Sequence, residues 1–199
     1  MKKQPDLLNE NYWSSRYQNN DAAWDMGKVS PPLKNYFDQL TNKSISILIP
    51  GCGNAYEAEY LLQNGFKNIT LIDISPVPVD KLKKQLSAFL HKEINIICGN
   101  FFALNQTFDL IVEQTFFCAI DPSLRINYVH KMHELLNVKG KLVGVFFNRT
   151  FDAGPPFSGS KAEYDMLFRN KFIIKMMEEC YNSITPRQGS ELFVIMQKV

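Results

Sequence analysis

Ser46-Ile47-Leu48-Ile49-Pro50-Gly51-Cys52-Gly53-Asn54-Ala55 is the stretch that decides how this chain folds. A short apolar run without polar alternation meets two glycines one residue apart. Ala55, Ala58, Leu61 and Leu62 then recur at helical spacing until Gly65. Such a strand, glycine turn and helix form the opening unit of a parallel sheet covered on both faces. Working outward, Ile69 to Ile72 reads as a second strand and Val79 to Leu90 as a second helix after Pro76 and Pro78. Ile94 to Cys98 is a third strand and Phe108 to Val112 a fourth. Pro122 opens a helix to Asn137, as proline does at a first turn, and the turn Val138-Lys139-Gly140 leads into a fifth strand, Lys141 to Phe147. Beyond the stiff Gly154-Pro155-Pro156-Phe157 loop come a short helix, Lys161 to Arg169, and two strand candidates, Phe172 to Met177 and Leu192 to Met196. These last two are expected as an antiparallel edge pair.

Composition narrows the function. The 199 residues correspond to about one domain. Hydrophobic residues at 45% and charged residues at 21% exclude a disordered or collagen-like chain. With 22 basic and 20 acidic side chains the net charge is +2, so no strong field steers nucleic acid or membrane toward the protein. Cys52, Cys98, Cys118 and Cys180 show no C-x-x-C spacing, which argues against a disulfide framework or a zinc site and for reduced thiols. His130 and His133 share one helix face, but no further ligand lies at metal spacing, and no metal is expected. Met1 to Asn20 lacks the apolar core of a signal peptide, and no run approaches the ~18 residues of a membrane span. A soluble, cytoplasmic protein without a nucleic-acid or membrane partner is expected, of a size compatible with a monomer. The unusual term is aromatic content, 13%, with both tryptophans ahead of the first strand.

A ligand site is suggested by Asp73, which ends the second strand twenty residues after Gly53. A carboxylate there accepts hydrogen bonds from both hydroxyls of a ribose. Gly99-Asn100-Phe101-Phe102 closes the third strand with an amide and a ring suited to an adenine. The blander alternative is a tight turn at the glycines and a helix cap at Asp73. Tyr56 fills the third glycine place of a dinucleotide motif, and Glu57 and Glu59 are poor company for a phosphate at a helix start. The residues thus lean from a dinucleotide toward S-adenosyl-L-methionine. A phosphate-binding G-x-x-x-x-G-K-[ST] loop is absent.

Four blocks carry a family resemblance: Tyr12-Trp13 through Trp24-Asp25-Met26-Gly27, Ile49-Pro50-Gly51-Cys52-Gly53, Thr115-Phe116-Phe117-Cys118-Ala119-Ile120-Asp121-Pro122, and Gly154-Pro155-Pro156-Phe157. In these the chain resembles class I S-adenosylmethionine-dependent methyltransferases, and within them the thiopurine S-methyltransferase superfamily, nearest its thiol and halide methyltransferase branch. The resemblance implies an α/β fold: a Rossmann-like, doubly wound, mostly parallel seven-stranded sheet in the order 3-2-1-4-5-7-6. It implies a single domain over residues 1–199, with an N-terminal helical lid at 1–43 and the core at 44–199. The cofactor contacts it implies are Trp13, Tyr17, Trp24, Gly51, Gly53, Asp73, Ile74, Asn100, Phe101, Glu113 and Gln114. The substrate pocket would comprise Phe116, Phe117, Arg125, Pro156 and Phe157, with Arg125 positioning substrate or cofactor. Three positions depart from the branch: Tyr17 stands for a tryptophan, Asn100 for an acid, and Gln114 for a tyrosine.

The implied activity is methyl transfer to a small soft nucleophile (a thiol, thiopurine, halide or chalcogen oxyanion), leaving S-adenosyl-L-homocysteine. Such an in-line displacement needs mainly alignment. Aromatic rings hold a sulfonium for roughly 0.5–2 kcal/mol each, and a thiolate needs little base help. The departures at Asn100 and Gln114 motivate an alternative, a non-catalytic S-adenosylmethionine-binding protein of the same fold. Nucleic-acid methylation is disfavoured by charge and by Glu113-Gln114-Thr115-Phe116, where an Asn/Asp-Pro-Pro-Tyr/Phe motif would be needed.

Overall fold

The computed structural model describes residues 8–199; the first seven residues of the expected lid lie outside them. Two helices, α1 (Glu10–Gln18) and α2 (Pro31–Asp38), precede the sheet. Then β1 (Ile47–Pro50), α3 (Tyr56–Gln63), β2 (Ile69–Asp73), α4 (Pro76–Gln85) and β3 (Ile94–Cys98) alternate. β4 (Phe108–Gln114), α5 (Arg125–Leu135), β5 (Leu136–Phe147), α6 (Lys161–Phe168), β6 (Phe172–Glu179) and β7 (Glu191–Lys198) complete the chain. The seven strands make one sheet in the order β3-β2-β1-β4-β5-β7-β6, as the resemblance implies. β1 to β5 are parallel, and β7 runs antiparallel to both β5 and β6. Among the described residues no helix is long and apolar enough to cross a membrane.

Both faces of the sheet are packed, so its strands read as continuous apolar runs. Ile47 and Ile49 point to a cluster with Leu33, Phe37, Leu61 and Val79, on the side of α2, α3 and α4. Leu48 points the other way, to a cluster with Tyr128, Met132 and Phe168 from α5 and α6.

Several boundaries differ from the sequence reading: the helix expected from Pro122 to Asn137 runs only Arg125–Leu135, after a 3-10 turn at Pro122–Leu124. α4 starts at Pro76 instead of Val79, because prolines in a first turn lack only N–H groups that have no helical partner. Ser75 caps it, its Oγ accepting from the Val77 N–H at 3.3 Å, and the helix ends at Gln85, short of Leu90. The turn Val138-Lys139-Gly140 lies inside β5, which starts directly after α5. Leu136 pairs with Phe108 and Lys141 with Leu110, and Lys139 takes φ 63° in the bulge between them.

Several hydrogen bonds fasten the N-terminal segment to the rest of the fold, those from Asn54 and Tyr56 to Asp25 among them. Ser14 and Ser75 share a hydroxyl hydrogen bond of 2.9 Å. The Ser30 N–H donates to buried Glu57 at 2.9 Å, and Arg187 donates to the Trp24 carbonyl at 2.7 Å.

Candidate active site

β1 pairs with β2 on one side and β4 on the other, so the chain leaves the C-terminal ends of these strands in opposite directions. In open α/β sheets that switch point is where ligands bind. A cavity of about 410 Å³ opens there, within the range of small-molecule sites. Its floor includes Gly51, Ile72, Asp73 and Ile74, one flank Asn100 and Phe101, and its N-terminal side Trp13, Tyr17 and Trp24.

Asp73 is buried, with Oδ2 accepting from the Gly53 N–H at 3.0 Å and Oδ1 from the Ser75 N–H at 2.9 Å. Burial raises its pKa, against the pull of these backbone donors. Helix α4 is capped by Ser75, so Asp73 does not serve as that cap. Gly51 has φ +55°, and a Cβ there would lie 2.3 Å from the Phe116 ring, so only glycine lets that ring close the wall.

The aromatic residues before β1 form an edge-to-face cluster, with Trp13 and Tyr17 each 5.6 Å from Trp24 between ring centroids. Burial, and then the charge of Asp73, push the Tyr17 hydroxyl well above its usual pKa. Asn100 already uses its side-chain oxygen, which accepts from the Phe102 N–H at 2.9 Å.

Of the residues singled out from the sequence, the cavity thus gathers Trp13, Tyr17, Trp24, Gly51, Asp73, Ile74, Asn100, Phe101, Phe116 and Pro156. Gly53 and Gln114 line instead a smaller cavity of about 50 Å³ with Asp25, Lys28 and Asn54, which meets the larger one at Trp24, Gly51 and Thr115. The Gln114 amide oxygen and nitrogen are both buried there and have no partner among the described residues. Glu113 is buried behind the wall, and Phe117 stacks on Phe146 in the core at 5.1 Å. Arg125 is also buried: it pairs with Glu163, donates to the Ser158 carbonyl at 2.7 Å and covers the Phe117 ring at 5.0 Å. It thereby ties α5 to α6 and to the loop after β5, and its charge is matched by Glu163. Phe157 folds its ring back over Gly154, while its N–H donates to the Cys118 carbonyl at 2.7 Å. Phe157 and Arg125 do not line the cavity.

Several lining residues went unread in the sequence. Phe147 is half-buried and faces the cavity because it ends β5, and that terminal position is the signal the sequence offers for it. Arg149 and Phe151 follow on the next loop, with the guanidinium 4.8 Å from the ring centroid. Arg187 arrives from the loop before β7, where no local pattern marks it. It is buried against Glu191 at 3.3 Å. Arg149 has no ion pair among the described residues. Among the described residues no three His, Cys, Asp or Glu side chains gather as a metal site requires.

Comparison with known proteins agrees with this geometry. The thiopurine S-methyltransferase family matches residues 8–198. The probable thiol methyltransferase 2 of Arabidopsis thaliana is 27% identical over 198 residues, covering 93% of this chain and 85% of its own. Thiocyanate methyltransferase 1 of Brassica oleracea is 28% identical over 192 residues, covering 94% and 84% respectively. In fold the chain is similar to the 1,6-didemethyltoxoflavin-N1-methyltransferase of Burkholderia thailandensis, solved with 1,6-didemethyltoxoflavin and S-adenosylhomocysteine bound. The TM-score is 0.77 at 16% identity, with 100% of this chain and 92% of the other covered.

Proposed function

Because the chain belongs to the thiopurine S-methyltransferase family, we propose that it transfers a methyl group from S-adenosylmethionine to a small soft nucleophile, with sulfur as the preferred acceptor atom. The observation that carries this reading is Asp73 on the floor of a cavity bordered by Trp13, Tyr17 and Trp24.

The residues present fit S-adenosylmethionine. Asp73 supplies a buried carboxylate suited to a ribose, and Asn100 and Phe101 flank the space for an adenine. Gln114, with both amide atoms buried and unpartnered among the described residues, offers an acceptor to an ammonium and a donor to a carboxylate. An amino-acid end carries both groups. When bound, S-adenosylmethionine supplies a methyl group activated on a sulfonium. The residues from Trp13 to Trp24 enclose that group, exclude water and favour its positive charge. Phe147, Phe151, Pro155 and Pro156 give the acceptor an apolar wall, and Arg149 adds a cation that favours an anionic nucleophile. Alignment is the main catalytic contribution, since a thiolate attacks without a general base.

Incubation with methyl-labelled S-adenosylmethionine and a panel of a small thiol, a thiopurine and iodide tests the proposal. Labelled methylated thiol is expected. A protein that binds S-adenosylhomocysteine yet methylates nothing in the panel would be the non-catalytic binder instead.

A further inference from the structure

Glu113 is 1% exposed and is the penultimate residue of β4, behind the cavity wall. Its Oε1 accepts from the backbone N–H groups of Phe116 and Phe117, each at 2.7 Å, and its Oε2 has no partner among the described residues. Only glycine fits beside it at position 144 of β5, because a Cβ there would lie 2.6 Å from the Glu113 Cβ. Between acceptor and donors sits Thr115, with φ +59°, a backbone conformation that a β-branched residue adopts only when its surroundings impose it. Past this turn two adjacent phenylalanines part company. Phe117 turns inward onto Phe146, while Phe116 lies against Gly51 and Phe101 and lines the cavity.

We propose that Glu113 is a positioning residue, which through the Phe116 and Phe117 amides holds the Phe116 ring as the wall against which the cofactor seats. The proposal rests on the functional reading above. The titratable side chains that feel the carboxyl are Cys118 from the same turn, Tyr128 from α5 and Tyr164 from α6, all buried and all with pKa values raised, chiefly by burial. Among the described residues no charged side chain hydrogen-bonds to it or forms an ion pair with it. Burial raises Glu113 itself to about 8, and a neutral carboxyl still presents a carbonyl oxygen to both amides. Glutamine preserves that oxygen; alanine and methionine remove it.

The test combines E113Q, E113A, F116A and the double variant E113A/F116A, with E113M standing in should E113A fail to fold. Two readouts are used: the dissociation constant of S-adenosylhomocysteine by calorimetry, and hydrogen exchange of the Phe116 and Phe117 amides without ligand. E113Q is expected to bind within about threefold of the parent, and E113A and F116A each to lose about tenfold or more. The double variant should be no weaker than the weaker single, since both act through one ring. Phe116 and Phe117 amides should be protected in the parent and in E113Q, and exposed in E113A. Additive losses, or a folded E113Q as weak as E113A, overturn the proposal. Failure of the parent to bind S-adenosylhomocysteine counts against the functional reading, whereas unprotected Phe116 and Phe117 amides in the parent count against Glu113.

Discussion

The backbone N–H of Gly53 donates to Oδ2 of Asp73 at 3.0 Å, joining the turn after β1 to the end of β2. The other oxygen holds the Ser75 N–H at 2.9 Å, so one carboxylate shapes two loops on the cavity floor. Asp73→Ala leaves both amides without that partner. Each buried donor left unpaired costs about 1–3 kcal/mol. Urea denaturation should therefore show a clear loss of stability in Asp73→Ala, and a smaller one in Asp73→Asn, which keeps one acceptor oxygen.

The two glycines of the turn are unequal in their surroundings. Both have positive φ, +55° at Gly51 and +51° at Gly53. A Cβ on Gly51 would strike the Phe116 ring at 2.3 Å, whereas one on Gly53 would meet only the far end of Tyr17 at 3.0 Å. Left-handed backbone costs either alanine about 1–2 kcal/mol. Gly51→Ala must in addition displace the cavity wall, so it is expected to weaken S-adenosylhomocysteine binding far more than Gly53→Ala does. Calorimetry on both variants checks this order.

Arg187 is expected to couple the N-terminal segment to the edge of the sheet. It bridges the Trp24 carbonyl and Glu191, and Glu191 also accepts from Ser183 at 2.6 Å. Removing one member of a buried ion pair costs about 3–5 kcal/mol, because the other charge stays buried. Arg187→Met should lower the thermal midpoint strongly, and Arg187→Met with Glu191→Gln should recover part of that loss. Both should bind S-adenosylhomocysteine more weakly, since Trp24 is released in each.

Stability should fall as pH rises across the neutral range. Glu113 goes from an ordinary 4.5 to about 8 in the folded protein, so the folded state holds its proton more tightly. Its contribution is fully present below pH 4.5 and is lost as pH rises through about 8. Asp73 and Glu57, also raised by burial, act in the same direction. Urea midpoints between pH 5 and 9 should decline in the parent and decline less in Glu113→Gln.

The strands were legible because a sheet buried on both faces demands unbroken apolar runs, and Ile47, Leu48 and Ile49 supply one. The start of α4 was not, because Pro76 and Pro78 read as a break when they are first-turn residues. At Phe116-Phe117 the sequence offers two identical rings with no periodicity to tell wall from core; the Thr115 turn decides. Arg125 and Arg187 exchange expectations for a related reason. A charge's partner lies far off in sequence, so Glu163 neutralising Arg125, and Arg187 reaching Trp24, emerge only from packing. Asp73 was readable because its role depends on a short, fixed distance from the glycine turn.

Calorimetric titration of S-adenosylhomocysteine into the parent and into folded Asp73→Ala tests the central claim most directly. Loss of charge-assisted hydrogen bonds worth about 1.5–3 kcal/mol each corresponds to a drop of about tenfold or more. The account predicts one-to-one binding by the parent and at least that drop in Asp73→Ala. No heat with the parent, or equal affinity in the two proteins, would contradict it.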